Sequence, residues 1–410
     1  MDARALLLDL FETAVAAADP LRLLPLHLPP RPTGRVIVIG AGKAAGSMAR
    51  ALEDSWGQDL TGLVVTRYGH GMACAGIAVL EAGHPLPDAA GQDAARRMCD
   101  LLRGLTADDT VICLLSGGGS ALLTLPPPAV SLAEKQAVNK ALLRSGARID
   151  EMNCVRKHLS AVKGGRLAAM AFPARMVTYV ISDVPGDAVE VIASGPTVGD
   201  PTTSAEALGI LDHYNISVSE QLRDWLRSPQ SESVKPGDAR LARSSVTVIA
   251  TARQSLDAAA ARARALGLNP VCLGDDIEGE AREVAAAQAT LALGSGPAVF
   301  LSGGETTVTV RGSGRGGRNA EYLLALMIAL RGQNHIYALA ADTDGIDGSE
   351  DNAGAIFGPD SWRRALALGL DPEVMLADND AYGLFEALGD LVVTGPTRTN
   401  VNDFRAILVT

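Results

Sequence analysis

VIVIGAGKAAGS, residues 36–47, runs an apolar stretch into three spaced glycines and then into an alanine-rich segment. The apolar run 35–39 reads as a short buried strand and 44–53 as a helix. Gly40, Gly42 and Gly46 therefore fall on a strand–turn–helix. Such a turn lets backbone N–H groups approach an anion at the start of the helix. The same rhythm continues outward. Strands are expected at 62–66, 110–115 and 175–182, and helices at 89–102, 131–145 and 155–171. That alternation predicts an α/β architecture with a largely parallel sheet.

A polar stretch at 228–245, with Pro229, Pro236 and Gly237, interrupts the pattern and reads as an inter-domain connection. A second α/β series follows, with strands at 246–250, 271–273, 298–301, 306–311, 336–340 and 404–409. Its helices are expected at 255–265, 279–291 and 320–330. The length of 410 residues suits this division into domains 1–235 and 236–410. Two segments, VICLLSGGGS (111–120) and AVFLSGGET (298–306), each carry an apolar strand into Ser-Gly-Gly.

Composition narrows the function. Apolar residues make up 47% and charged residues 20%, which excludes wholesale disorder. A net charge of −11 argues against a nucleic-acid partner, and 4% aromatics leave no stacking platform for single strands. An anionic substrate has to be held by a few placed cations. Cys74, Cys99, Cys113, Cys154 and Cys272 form no CxxC pair, so a reduced, cytoplasmic protein without zinc is expected. The N-terminal helix carries Asp2, Asp9 and Glu12 rather than a basic signal-peptide region, and stops at Asp19-Pro20. No apolar run approaches the ~18–20 residues that span a bilayer, so no membrane partner is expected.

Chemistry concentrates in seven segments. In the first turn Lys43 would sit on a bound anion. The spacing departs from G-x-G-x-x-G by one residue, Arg67 ends the next strand where a ribose-reading acid would be, and Ile37 excludes a P-loop. Ser116, Gly117, Gly118, Gly119 and Ser120 follow a strand and form a natural oxyanion cradle; Leu122 excludes a hydrolase elbow. Arg156, Lys157, His158, Lys163 and Arg166 read either as a basic wall or as a solvated helix face. Asp183 and Asp187 follow the strand 175–182, and Ser194, Gly195, Thr197 and Asp200 continue that loop; a carboxylate there can orient a hydroxyl or hold Mg²⁺. Gly303 and Glu305 lead to Arg311, Arg315, Arg318 and Asn319, the last two at a helix start that suits a polyphosphate. Asp342, Asp344 and Asp347 follow another strand and offer oxygen donors for Mg²⁺, though Ile346 excludes an EF-hand. Thr397, Arg398, Thr399 and Asn400 precede the last strand.

Together IGAGKAAGSMA, LLSGGGSALL, RKHLSAVKGGRLA, SDVPGDAVEVIASGPT, LSGGETTVTV, GRGGRNAEYLLA, AADTDGIDG and GPTRTNVND resemble the glycerate 2-kinase family, in order along nearly the whole chain. Members of that family carry a C-terminal MOFRL domain and have also been labelled hydroxypyruvate reductases. The resemblance implies two different α/β domains, the first Rossmann-like, with the active site in the cleft between them. It implies ATP- and Mg²⁺-dependent transfer of a phosphoryl group to the 2-hydroxyl of D-glycerate, giving 2-phosphoglycerate, and Lys43 and Arg318 as the essential cations. On that reading Asp342, Asp344 or Asp347 lies near the metal, and Asp183 or Asp187 orients or deprotonates the hydroxyl. Gly42, the 116–120 loop, Ser194, Gly195, Thr197, Gly303, Glu305 and Asn319 hold phosphate or substrate.

The alternative is an NAD(P)H-dependent hydroxypyruvate reductase. It rests on one imperfect glycine fingerprint and gives Arg318 and the carboxylates of 342–347 no task. A non-enzymatic sensor of sugar acids or nucleotides has no appended signalling module in its favour. The oligomeric state, a homo-oligomer included, is left open.

Overall fold

The structure, a computed structural model, describes residues 2–410. The chain divides into two units, one comprising Pro20–Ile249 and the other joining the segment that ends at Asp19 to Ala250–Thr410.

In the first unit β1 (Val36–Ala41), β2 (Thr61–Arg67), β3 (Ile77–Ala82), β4 (Thr110–Leu115), β5 (Arg175–Ile181) and β6 (Ser244–Ala250) form one sheet in the order β3-β2-β1-β4-β5-β6. The pairings among β1 to β5 are parallel. Every residue of β1 and β4 is buried, which explains why VIVIGA and TVICLL are continuous apolar runs rather than alternating ones. This is the strand order of a doubly wound dinucleotide-type sheet, and it reverses direction between β1 and β4. The crevice at such a switch point, beyond the carboxyl ends of the strands, is where this architecture takes ligands. The turns after β1 and β4 carry Lys43 and the 116–120 loop.

Edge strand β3 was not legible in the sequence. Its approach is fixed by the buried Glu53, whose carboxylate accepts N–H bonds from Ala75, Gly76 and Ile77 at 2.8, 2.7 and 2.8 Å. The helix expected over 155–171 is two helices, Ile149–His158 and Arg166–Ala171. Gly164 and Gly165 separate them at φ 56° and 76°, in the left-handed region that ends a right-handed helix. The stretch 228–245 is not a linker. Val234 N donates to Gly164 O and Asp200 N to Val234 O, and the segment runs directly into β6. The chain passes between units at 19/20 and 249/250 instead of at 235/236.

The second unit has a six-stranded sheet of order β13-β12-β11-β14-β9-β7. Its strands are β7 (Pro270–Gly274), β9 (Ala298–Ser302), β11 (Ile336–Asp342), β12 (Gly354–Phe357), β13 (Leu391–Val392) and β14 (Asp403–Val409). β7 and β9 are parallel, whereas the other neighbours are antiparallel, so the parallel expectation holds for the first unit and fails for this one. A separate pair, β8 (Gly279–Glu280) and β10 (Thr306–Thr307), stands beside it in sequence. β10 is far shorter than the strand expected at 306–311, because Arg311 N and Gly312 N bond the Asn379 side chain rather than a strand partner.

The helix Ala3–Ala16 belongs to this second unit. Leu7, Leu10, Phe11 and Ala14 join one core with Leu256, Ala260, Leu339 and Phe404. Asp9 pairs with Arg262 at 2.7 Å, and the Phe11 and Phe404 rings lie 5.9 Å apart. Phe11→Ala should therefore cost about 3–5 kcal/mol of stability, the usual range for a truncated buried aromatic. Hydrogen exchange should quicken across residues 250–410; quickening confined to residues 20–249 would contradict the assignment of this helix.

Candidate functional site

In the first unit the turn after β1 is locked onto the turn after β4. Gly42 has φ 138°, and a Cβ there would fall 2.1 Å from Ser116 Oγ. Only glycine fits. Lys43 N donates to Gly117 O at 2.8 Å, and Ala44 N donates to Ser116 Oγ at 2.9 Å. The helix Ala45–Trp56 has no side-chain cap of its own, so the Ser116 hydroxyl satisfies an N–H at its start from another turn. Gly118, at φ 78°, lies where a Cβ would meet the His84 ring at 3.0 Å and Lys43 Cγ at 3.3 Å. The Lys43 stem thus runs beside the glycine loop.

The 116–120 loop is held from its other end too. Ser120 Oγ and Ser194 Oγ are 2.7 Å apart, and Lys163 Nζ donates to Ser120 O at 2.9 Å and to Ala193 O at 3.3 Å. Gly165 N donates to Gly195 O at 2.8 Å. Ala193, Ser194 and Gly195 all have positive φ, 51°, 62° and 57°. For Ala193 and Ser194 that is a strained conformation of the kind that persists where surrounding contacts over-determine it. Ser194 thus meets the glycine loop at Ser120, while Gly195 is bonded to Gly165. Thr197 does not meet the loop: its hydroxyl accepts a bond from Thr178 on β5 at 3.0 Å, and its carbonyl accepts one from Ser244 on β6. It braces the sheet. Asp183 and Asp187 lie just past the end of β5, Asp187 at φ 56°, with both side chains part-exposed.

The basic wall dissolves into separate tasks. Lys157 pairs with buried Asp200 at 3.2 Å. Arg166 bonds three backbone carbonyls, of Lys157, Lys163 and Ser231. His158 is buried with Nδ1 2.8 Å from Cys154 O, and burial pushes its pKa down. Arg156 and Lys163 remain. A third cation, Lys135, was missed. It stands on the helix Leu132–Ser145 at three and seven residues from the buried Val138 and Leu142, so a charge on the apolar face was the available signal.

In the second unit Arg318 opens the helix Arg318–Leu330. Its Nε bonds Asp403 at 2.9 Å, one terminal nitrogen bonds Asp342 at 2.7 Å, and the other pairs with Glu305 at 3.1 Å. Burial alone would lower the Arg318 pKa, but Asp403, Asp342 and Glu305 outweigh it and hold the pKa well above its ordinary value. Asp403 also accepts from Asn319 at 2.8 Å and from Arg405 at 2.9 Å. Neither Asp403 nor Arg405 was singled out from sequence, although Asp403 ends the GPTRTNVND motif.

Asp347 works on the backbone. Its two oxygens accept Asn319 N at 3.0 Å and Ala320 N at 2.8 Å, capping a helix whose own cap residue is Gly317. Burial nevertheless raises its pKa to about 6, against those N–H bonds and Arg318. Asp342 is divided between Arg318 and Asp344 N, and Asp344 accepts Ile346 N at 2.8 Å. Among the described residues no three His, Cys, Asp or Glu side chains are grouped to hold a metal ion. The three aspartates therefore form no ready-made metal cage. Arg315 stacks 4.6 Å over Tyr382 and pairs with Glu386 at 2.9 Å, on the surface. Gly303 accepts from Arg405 at its carbonyl, and Thr399 bonds Ala18 O at 2.6 Å.

Residues 6–227 match a domain of unknown function, DUF4147, and residues 298–403 match the MOFRL family. A D-glycerate 2-kinase of Thermotoga maritima is 40% identical over 98% of this chain and 97% of its own. The crystal structure of a glycerate kinase from that organism superposes with a TM-score of 0.88, at 39% identity and 99% coverage of both chains. The chain belongs to the glycerate 2-kinase family. An Agrobacterium vitis protein, 50% identical over 100% of this chain and 95% of its own, carries the provisional name hydroxypyruvate reductase. No helix among the described residues is long and apolar enough to cross a membrane.

Arg318→Met should leave buried Asp342 without its guanidinium and buried Asp403 with only Arg405 and Asn319 of its present partners. Breaking a buried ion pair costs about 3–5 kcal/mol, so the urea midpoint should fall sharply at pH 7. An unchanged midpoint would show that the carboxylates do not depend on this guanidinium.

Proposed function

We propose that this chain is a glycerate 2-kinase, transferring the γ-phosphoryl group of ATP to the 2-hydroxyl of D-glycerate with Mg²⁺. One observation carries the reading: Lys43 stands at a helix start, against the glycine loop after β4, at the switch point of the sheet. The start of a helix already carries partial positive charge, so a cation placed there is favoured by a ligand of high negative charge. Transfer of a phosphoryl group calls for positioning and charge neutralisation more than for covalent chemistry. Lys43 and the N–H groups of the 116–120 loop neutralise the moving phosphoryl oxygens. Asp183 or Asp187 orients the hydroxyl and takes up its proton. Arg318, fixed by its carboxylates, contributes a positioned cation.

The carboxylates fit Mg²⁺ only in the way this ion is usually held, by one or two protein oxygens together with phosphates and water. Asp342 and Asp344 are the fitting donors, since Asp347 is committed to the helix start. When bound, the ion supplies neutralisation of phosphate charge.

Arg67 at the end of β2 disfavours NADH, whose ribose an acid would read, and suits at most the 2′-phosphate of NADPH; the cation in the turn after β1 counts against either cofactor. Purified protein should consume ATP with D-glycerate and Mg²⁺ and fail to oxidise NADH with hydroxypyruvate; the reverse result would overturn the proposal. EDTA should abolish turnover and Mg²⁺ restore it, whereas full activity in metal-free buffer would remove the ion from the account. Lys43→Ala should keep its fold and lose on the order of 10²-fold or more in kcat, as when a preorganised charge is removed from a transition state. A near-normal kcat would reduce the turn to scaffolding.

A further inference from the structure

Among the described residues Lys135, Lys163 and Arg156 of the first unit make no ion pair with a carboxylate. Lys135 is 3% exposed, and its Nζ makes no hydrogen bond. Lys163 is 1% exposed and bonds only two backbone carbonyls, those of Ser120 and Ala193. Arg156, part-exposed on the helix Ile149–His158, makes no ion pair among the described residues. The acids of the surrounding elements are engaged elsewhere: Asp200 by Lys157 and Thr202, Glu232 by Lys235 and Ser204, Glu151 by Tyr214. The three charges also oppose one another. Burial, then Arg156 and Arg166, push the Lys135 pKa down to about 7. Burial, then Lys135 and Arg156, hold that of Lys163 well below its ordinary value.

A buried charge without a partner is among the most costly features a fold can keep. An arrangement of three is stable in its charged form when an anion completes it. The location indicates which anion. Lys163 holds the 116–120 loop at Ser120, and Lys43 runs beside the same loop at Gly118, at most about 7 Å of chain away. One small molecule with an acid group at one end and a hydroxyl next to it can span that interval.

We propose that Lys135, Arg156 and Lys163 form an anion subsite for the carboxylate of the acceptor, a small 2-hydroxy acid. The proposal rests on the kinase reading above and deepens it. Holding the carboxylate fixes the hydroxyl one carbon away, so the subsite sets both acceptor class and the position of transfer.

The test uses Lys135→Met and, separately, Arg156→Gln in the full chain. Lys135→Met removes an uncompensated buried charge, so its Tm should not fall; Arg156 is part-exposed and gives a second variant in which folding is not at stake. Each should raise KM for D-glycerate at least tenfold and leave KM for ATP within about twofold. Without ATP, D-glycerate should raise the wild-type Tm, glycerol should not, and both variants should lose the shift. A raised KM for ATP with that for glycerate unchanged would assign the cluster to nucleotide phosphate, and inorganic phosphate would then raise the Tm in place of glycerate. Unchanged KM values for both substrates would overturn the subsite. If wild-type protein phosphorylates nothing yet D-glycerate still shifts its Tm through Lys135, the kinase reading fails and the anion subsite stands.

Discussion

Both candidate sites depend on a helix start that is capped from a distance. In the first unit the Ser116 hydroxyl accepts Ala44 N, and in the second Asp347 accepts Asn319 N and Ala320 N. In each case a glycine makes room for the capping group: a Cβ on Gly42 would fall 2.1 Å from Ser116 Oγ, and one on Gly317 would fall 2.4 Å from Asp347. The capping group comes from a turn remote in sequence, so each helix start exists only once two strands have placed their turns side by side. The cations Lys43 and Arg318 stand at those same starts. They are set with backbone precision because the backbone is bonded on both sides of them.

The two units solve the charge problem differently. Around Arg318 the fold supplies its own anions, Asp403, Asp342 and Glu305, with Arg405 sharing Asp403. The guanidinium is therefore held by carboxylates at all three of its nitrogens. In the first unit Lys163 bonds the glycine loop at Ser120, and among the described residues neither it nor Lys135 nor Arg156 has a carboxylate of its own.

Much of this was legible from residues. The strand–turn–helix at 36–47, the loop at 116–120 and a largely parallel sheet in the first unit followed from apolar runs ending in glycines, because a doubly wound sheet buries its central strands on both faces; the strand order did not. The N-terminal helix was legible as a helix but not as part of the C-terminal unit, since its apolar stripe carries no information about which core receives it. The polar stretch 228–245 misled because its prolines and glycines serve loops packed on Gly164, Gly199 and Asp200. The three aspartates of 342–347 read alike in sequence. Only hydrogen bonds distinguish Asp347, spent on amides, from Asp342, shared with Arg318. Lys135 was legible only as a charge on the apolar face of its helix, in line with Val138 and Leu142.

The proposed activity depends on this chain positioning the 2-hydroxyl of a small acid for phosphoryl transfer. Phosphorus and proton NMR of the product formed from D-glycerate tests it most directly. Phosphorus coupled to the single proton on carbon 2, the signature of 2-phosphoglycerate, is the predicted result. Coupling to the methylene protons of carbon 3, or no phosphorylated product alongside oxidation of NADH, would contradict it.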